Sequence, residues 1–157
     1  MLTLPHQIAT HLRQAYTGGN WTCVSWKDAL QDITLPLALQ SINNSNSIAT
    51  LFCHSHYYIQ RQLKVLQGLP LEGHDVDSFA LPPLPNEAAW QTLIANYFAE
   101  AETMAQAIEK LSAEAFEQTF VQEKYGNYYR NLAGAIEHLY YHMGQAVWLR
   151  KWLLQRI

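Results

Sequence analysis

Cysteine is scarce in this chain. The two that occur, Cys23 and Cys53, are widely spaced and form no CxxC pair. That argues against a disulfide framework and fits free thiols in a reducing compartment, each read as a small buried apolar residue. Long apolar runs are missing too, since no stretch approaches the roughly 20 residues a membrane span needs. Residues 1–6 show no basic region leading into an apolar one, so a secretory leader is not expected and a soluble, cytoplasmic protein is. Charge is thin as well: the net value is -3, and Lys and Arg are scattered. Nothing resembles the basic stripe that nucleic-acid phosphates require, so neither nucleic acid nor membrane is an expected partner. Internal repeats and low-complexity tracts are also lacking.

What is present is enough for one globular domain. The chain has 157 residues, about half of them apolar, which suffices to bury a core. Residues 8–16 read as a first helix, with Ile8, Leu12 and Ala15 on one side and Gly18-Gly19-Asn20 stopping it. Ser25 reads as an N-cap with Asp28 three residues on, opening a turn or two over 26–33. Residues 34–39 continue it, with Pro36 near a helix start. After the Asn43-Asn44-Ser45-Asn46 break, a second main helix spans 47–67, its stripe being Ile48, Phe52, Ile59, Leu63 and Leu66. Residues 69–85, with Gly73, Pro82, Pro83 and Pro85, form the longest irregular stretch. Loops of that length are often functional or packed lids, and this one, with His74, Asp75 and Asp77, could cover the pocket, although it reads more simply as solvated. Asn86 caps a third helix that buries Trp90, Leu93, Ile94, Tyr97, Met104, Ile108 and Leu111. A short helical segment follows over 112–121, and the last helix starts near Tyr128. No segment reads as a strand. Short connections between amphipathic helices predict an all-α, antiparallel four-helix bundle with extra short helices.

Seven histidines are present, and His138 with His142 carries the most information. Four residues apart on a helix, they point about 40° from one another and can grip one ion. The intervening residues are Leu139, Tyr140 and Tyr141, so this is not HExxH and lacks its general base. Asn131, Ala135, Gln145, Leu149, Trp152 and Leu153 share that face, which is mainly core-facing. Two buried imidazoles are costly unless every nitrogen has a partner. A metal satisfies one nitrogen of each ring, and Gln145 or Asn131 could accept from the other. Core histidines bonded to carbonyls or tyrosines are the alternative. A third ligand has to come from another helix. There the pattern leans to His56, nearer the main stripe, over His54, which sits with Leu51 and Tyr58 on a flanking face.

Several motifs resemble a known family in their order along the chain. They are Gly19-Asn20-Trp21-Thr22-Cys23-Val24-Ser25 with Lys27-Asp28, Asn46-Ser47-Ile48, and Leu51-Phe52-Cys53-His54-Ser55-His56-Tyr57-Tyr58-Ile59. Val65-Leu66-Gln67-Gly68 follows, then Ile136-Glu137-His138-Leu139-Tyr140-Tyr141-His142-Met143-Gly144-Gln145. Together they look like the DinB/YfiT-like superfamily, and the closing His-xxx-His-x-Gly-Gln is the most specific part. The resemblance covers nearly the whole chain and implies a single DinB-like bundle over 1–157. It implies one divalent metal ion held by one histidine of the second main helix and two of the last. The family's first ligand stands just ahead of the paired aromatics, which selects His54 beside His138 and His142. His56 then becomes a neighbouring cavity residue.

A site of three neutral imidazoles leaves coordination positions open for a water, a thiol or a substrate oxygen. Zinc and nickel suit nitrogen ligands, and iron and manganese remain open. The family resemblance extends to S-transferases that use low-molecular-weight thiols and to hydrolases. Tyr57, Tyr58, Tyr141, Gln145 and Trp148 are candidates for the substrate pocket, with core packing the plainer account. No catalytic acid or base is recognisable, because Glu137, the nearest carboxylate in sequence, points about 100° from His138. The rival expectation is a non-catalytic metal-binding scaffold or stress-response protein. Family members often form homodimers, and the aromatic-rich helices suit a partner helix.

Overall fold

The computed structural model describes residues 2–155; Met1, which begins the N-terminal reading, and the last two residues lie outside. Six α-helices and three short 3-10 turns account for the regular structure among the described residues. The first helix, α1 (Leu4–Thr17), starts four residues earlier than its apolar period suggests. Pro5 sits in its first turn, where the missing N–H costs nothing. Two short helices follow, α2 (Trp26–Leu30) and α3 (Leu35–Ala38). They do not merge into one element, because Asp32 between them is in the left-handed region at φ +60°, which a continuing helix cannot accept.

The second long helix, α4 (Ile48–Leu66), begins where Ser47 Oγ accepts from Thr50 N–H. It ends at Gly68, φ +81°, where Gly68 N–H donates to Val65 O and Leu69 N–H to Lys64 O. This is the two-bond closure that a glycine just past the helix end permits. Next come a 3-10 turn (Asp75–Phe79), α5 (Glu87–Glu109) and α6 (Tyr128–Leu154). Asn86 and Asn127 cap the two long helices, each accepting through Oδ1 at 2.9 Å. The short helix expected over 112–121 is only the 3-10 turn Glu114–Glu117. Beyond it Val121 is at φ +60°, and Thr119 pairs with Asn127 as an isolated bridge.

The four long helices close into a ring in which α1 packs on α5, α5 on α4, α4 on α6, and α6 on α1. Their directions follow from paired residues. Gln62 meets Asn131 while His54 meets His142, so α4 and α6 run antiparallel. Phe52 meets Trp90 while Gln60 meets Glu100, so α4 and α5 run parallel. Tyr16 meets Phe98 and Arg13 reaches Glu102, which makes α1 antiparallel to α5 and hence parallel to α6. The expectation of antiparallel neighbours throughout fails at two edges. Residues 67–86 are no short hairpin link but a crossover long enough to return along the ~28 Å length of α4, so α5 starts at the same end as α4.

The core centres on Trp26, Phe52, Trp90 and Phe98, with Trp90 Nε1 donating to Ile33 O at 3.1 Å. Cys53 is buried as expected, whereas Cys23 is exposed at φ +56°, on the loop after α1 rather than in the core. No described helix is long and apolar enough to cross a membrane.

Candidate metal centre

Helical spacing puts His138 and His142 on one side of α6, and the antiparallel packing of α4 brings His54 against them. The His138 and His142 ring centroids are 4.4 Å apart, and His54 lies 4.9 and 4.7 Å from the two. His138 Nε2 is 3.1 Å from His54 Nε2 and 3.0 Å from His142 Nε2. One nitrogen from each ring lies within 4.8 Å of the other two. Three nitrogens around a tetrahedral ion at ~2.1 Å would stand ~3.4 Å apart, so two of the three edges are within a few tenths of an ångström of that.

The partners on the far side of the rings decide where the protons sit. Ser78 Oγ donates to Asp75 O, so it has only lone pairs left for His54 Nδ1, 2.8 Å away. His54 therefore carries its proton on Nδ1. Gln145 Oε1 is 3.0 Å from His142 Nδ1 and accepts from it. In both rings Nε2 is bare and faces the centre. A single proton on His138 Nε2 could satisfy one of these lone pairs but not both. A shared cation satisfies all three, so the donor set fits a divalent ion. Nδ1 of His138 is buried without a hydrogen-bond partner, so the third ring is not held as the other two are.

Burial reinforces this state. Desolvation, then the neighbouring His142, pushes His54 down to about 4, against a weaker opposite pull from Asp75. Desolvation followed by His142 and His54 likewise takes His138 down to about 4. His142 is lowered by burial, partly offset by its bond to Gln145. Neutral imidazoles near pH 7 are what a metal requires.

The crossover segment forms one wall of the site and is not simply solvated. Phe79 stacks on His54 at 3.8 Å, and Ser78 is buried beneath it. Tyr58 stands edge-on to His54 and His138 and donates to Asp75 Oδ1 at 3.2 Å. Tyr141 lies edge-on to His142 yet is largely exposed, as is Trp148. Cavities adjoin the triad on two sides. One of about 660 Å³ is lined by Leu51, Tyr141, Gln145 and Trp148. A narrower one of about 280 Å³ is lined by Tyr57, Tyr58, Arg61 and Asp75.

Other candidates sit elsewhere. His56 is fully buried on the opposite flank of α4, stacked on Tyr97 at 3.8 Å. Its Nδ1 accepts from Tyr16 Oη at 2.7 Å, and its Nε2 donates to Glu100 Oε2 at 2.8 Å. Asn131 turns from the triad and donates to the carbonyls of Tyr125 and Asn127. Glu137, His74 and Asp77 are exposed. Asp75 is exposed as well, in keeping with the solvated reading, yet accepts from Tyr58 beside the site, and Ser78 and Phe79 were not anticipated at all. No periodicity marks them, because they belong to an irregular segment whose place is set by contact with α4.

No protein-family model, no curated protein and no solved structure matches the chain. The family resemblance therefore rests on the motifs quoted above.

Proposed function

We propose that this protein is a divalent-metal protein of the DinB/YfiT-like kind, a metal-dependent transferase or hydrolase whose ligands are His54, His138 and His142. The observation that carries the reading is the set of three Nε2 atoms facing one another, two of them bare because Ser78 and Gln145 hold the protons at Nδ1. The all-helical ring agrees with the helical bundle that the resemblance implies, although two of its edges are parallel. When bound, such an ion supplies Lewis acidity that favours deprotonation of a thiol or water sharing it. Zinc or nickel fits a nitrogen donor set best, with iron and manganese next. The chain's own contribution is to keep the imidazoles neutral, to fix two of them by hydrogen bonds, and to shield one side with Phe79. Tyr58 packs edge-on against His54 and His138 and donates to Asp75, which ties the site to the crossover.

A second reading, a metal-bearing scaffold that works as a homodimer, is favoured by Tyr141 and Trp148. They stand exposed two turns apart on α6, offering aromatic area for a second chain. Metal analysis of untagged protein tests the shared premise: about one divalent ion per chain, lost in His138→Ala. Equal metal content in the variant removes the site. Thiol transfer or hydrolysis that stops with chelator favours the enzyme, and a metal-loaded dimer inert in both assays favours the scaffold.

A further inference from the structure

We infer that the cavity roofed by the crossover binds the amino-carboxylate end of a small molecule, a free α-amino acid or a compound built on one. Two residues that line it each keep a buried polar atom without a partner: Arg61 Nε, a donor, and Gln62 Oε1, an acceptor. Buried groups of this kind are rarely left unpaired, and two of them on neighbouring wall residues of one cavity point to a ligand there. Arg61 makes no ion pair among the described residues. Its guanidinium lies 4.4 Å over the Tyr57 ring, which holds the fork without neutralising it. Gln62 is anchored by Nε2 donating to Asn131 O at 3.0 Å, leaving Oε1 to receive an N–H. A carboxylate for Arg61 and an N–H for Gln62 are the two ends of one amino-acid group.

Charge supports the same ligand. Glu72 and Asp75 also line the cavity and oppose a purely anionic guest, while an ammonium group beside the carboxylate meets them favourably. The roof is built to sit close. Gly73 is at φ +127°, and a Cβ there would fall 2.1 Å from Tyr57 Oη and 3.2 Å from Arg61 Nε. The cavity volume of about 280 Å³ suits a small molecule and not a peptide.

Position links this cavity to the histidines. Arg61 follows His54 by seven residues, two turns along α4, about 10.5 Å of rise and about 20° of rotation. Tyr58 lies between them and touches both the cavity and the rings of His54 and His138. A ligand seated on Arg61 is thus separated from the triad by Tyr58. That link rests on the metal reading above, whereas binding in the cavity does not.

The test is calorimetric titration of chelator-treated protein with each natural L-α-amino acid, using acetate and methylamine as half-ligand controls. At least one amino acid should bind where neither control does. Arg61→Gln should weaken it at least ~tenfold, with Arg61→Lys in between, as for a charged hydrogen bond. Failure of every amino acid to bind, equal binding by acetate, or undiminished binding in Arg61→Gln overturns the proposal. Repeating the titration after metal loading separates the two readings. Amino-acid binding in a chain that takes up no metal leaves the cavity standing and removes the metal centre. A loaded chain that binds no amino acid does the reverse.

Discussion

Two histidines that stand two residues apart on α4 live in opposite circumstances. His56 is enclosed, and both its nitrogens are matched by protein groups, Tyr16 on one side and Glu100 on the other. Glu100 is held below the usual carboxylate range by that bond first and by Gln60 next, against the opposing effect of burial. His54 is matched on one side only, by Ser78, and turns its other nitrogen toward two more imidazoles. The first arrangement is complete without a ligand and serves packing between α1, α4 and α5. The second has two bare nitrogens that one proton on His138 cannot both satisfy and a cation would. What separates a structural histidine from a candidate ligand here is the tally of satisfied nitrogens.

This contrast can be broken in three places. Of the two substitutions, that of His56 should have the larger effect on stability. His56→Ala leaves Tyr16 and Glu100 without their partner and opens a cavity, costing about 3 kcal/mol in chemical denaturation. Metal content in the surviving folded protein should be unchanged, and a loss of metal would join the two clusters that the structure keeps apart. Next comes Ser78→Ala, which removes the acceptor from His54 Nδ1. Competition with a chromophoric chelator should show metal affinity reduced ~10–100-fold with little change in fold. Affinity equal to wild type would mean that Ser78 does not orient the ring.

The third place is the acid sensitivity of the metal-free protein. His54 and His138 titrate near 4 in the folded chain and near their ordinary 6.5 once unfolded. Between those values the unfolded chain binds more protons, so stability falls as pH drops from about 6.5 toward 4 and recovers as pH rises. His56, also lowered by burial, adds to the same slope. Thermal melts across that range should track it, and a flat profile would mean that the imidazoles are not desolvated.

Helix starts were legible where a cap was readable, as at Ser25 and Asn86, since that signal is local. The start of α1 was not, because Pro5 reads as a break until its place in the first turn is known. Helix direction was missed for a topological reason: the irregular stretch gives no sign of which end of the bundle it returns to. The pairing of His138 with His142 follows from spacing alone. The choice between His54 and His56 does not, because α4 buries two faces against different neighbours and hydrophobic pattern favours the wrong one for the triad. The Ser78 bond and the Phe79 stack are contacts between a crossover and a helix, set by three-dimensional closure.

X-ray absorption at the metal edge of zinc-loaded protein tests the central claim most directly. The account predicts three imidazole nitrogens at ~2.0–2.1 Å with at least one further light-atom ligand, and the same spectrum from His56→Ala. A sulfur ligand, or fewer than two imidazoles around the ion, would contradict it.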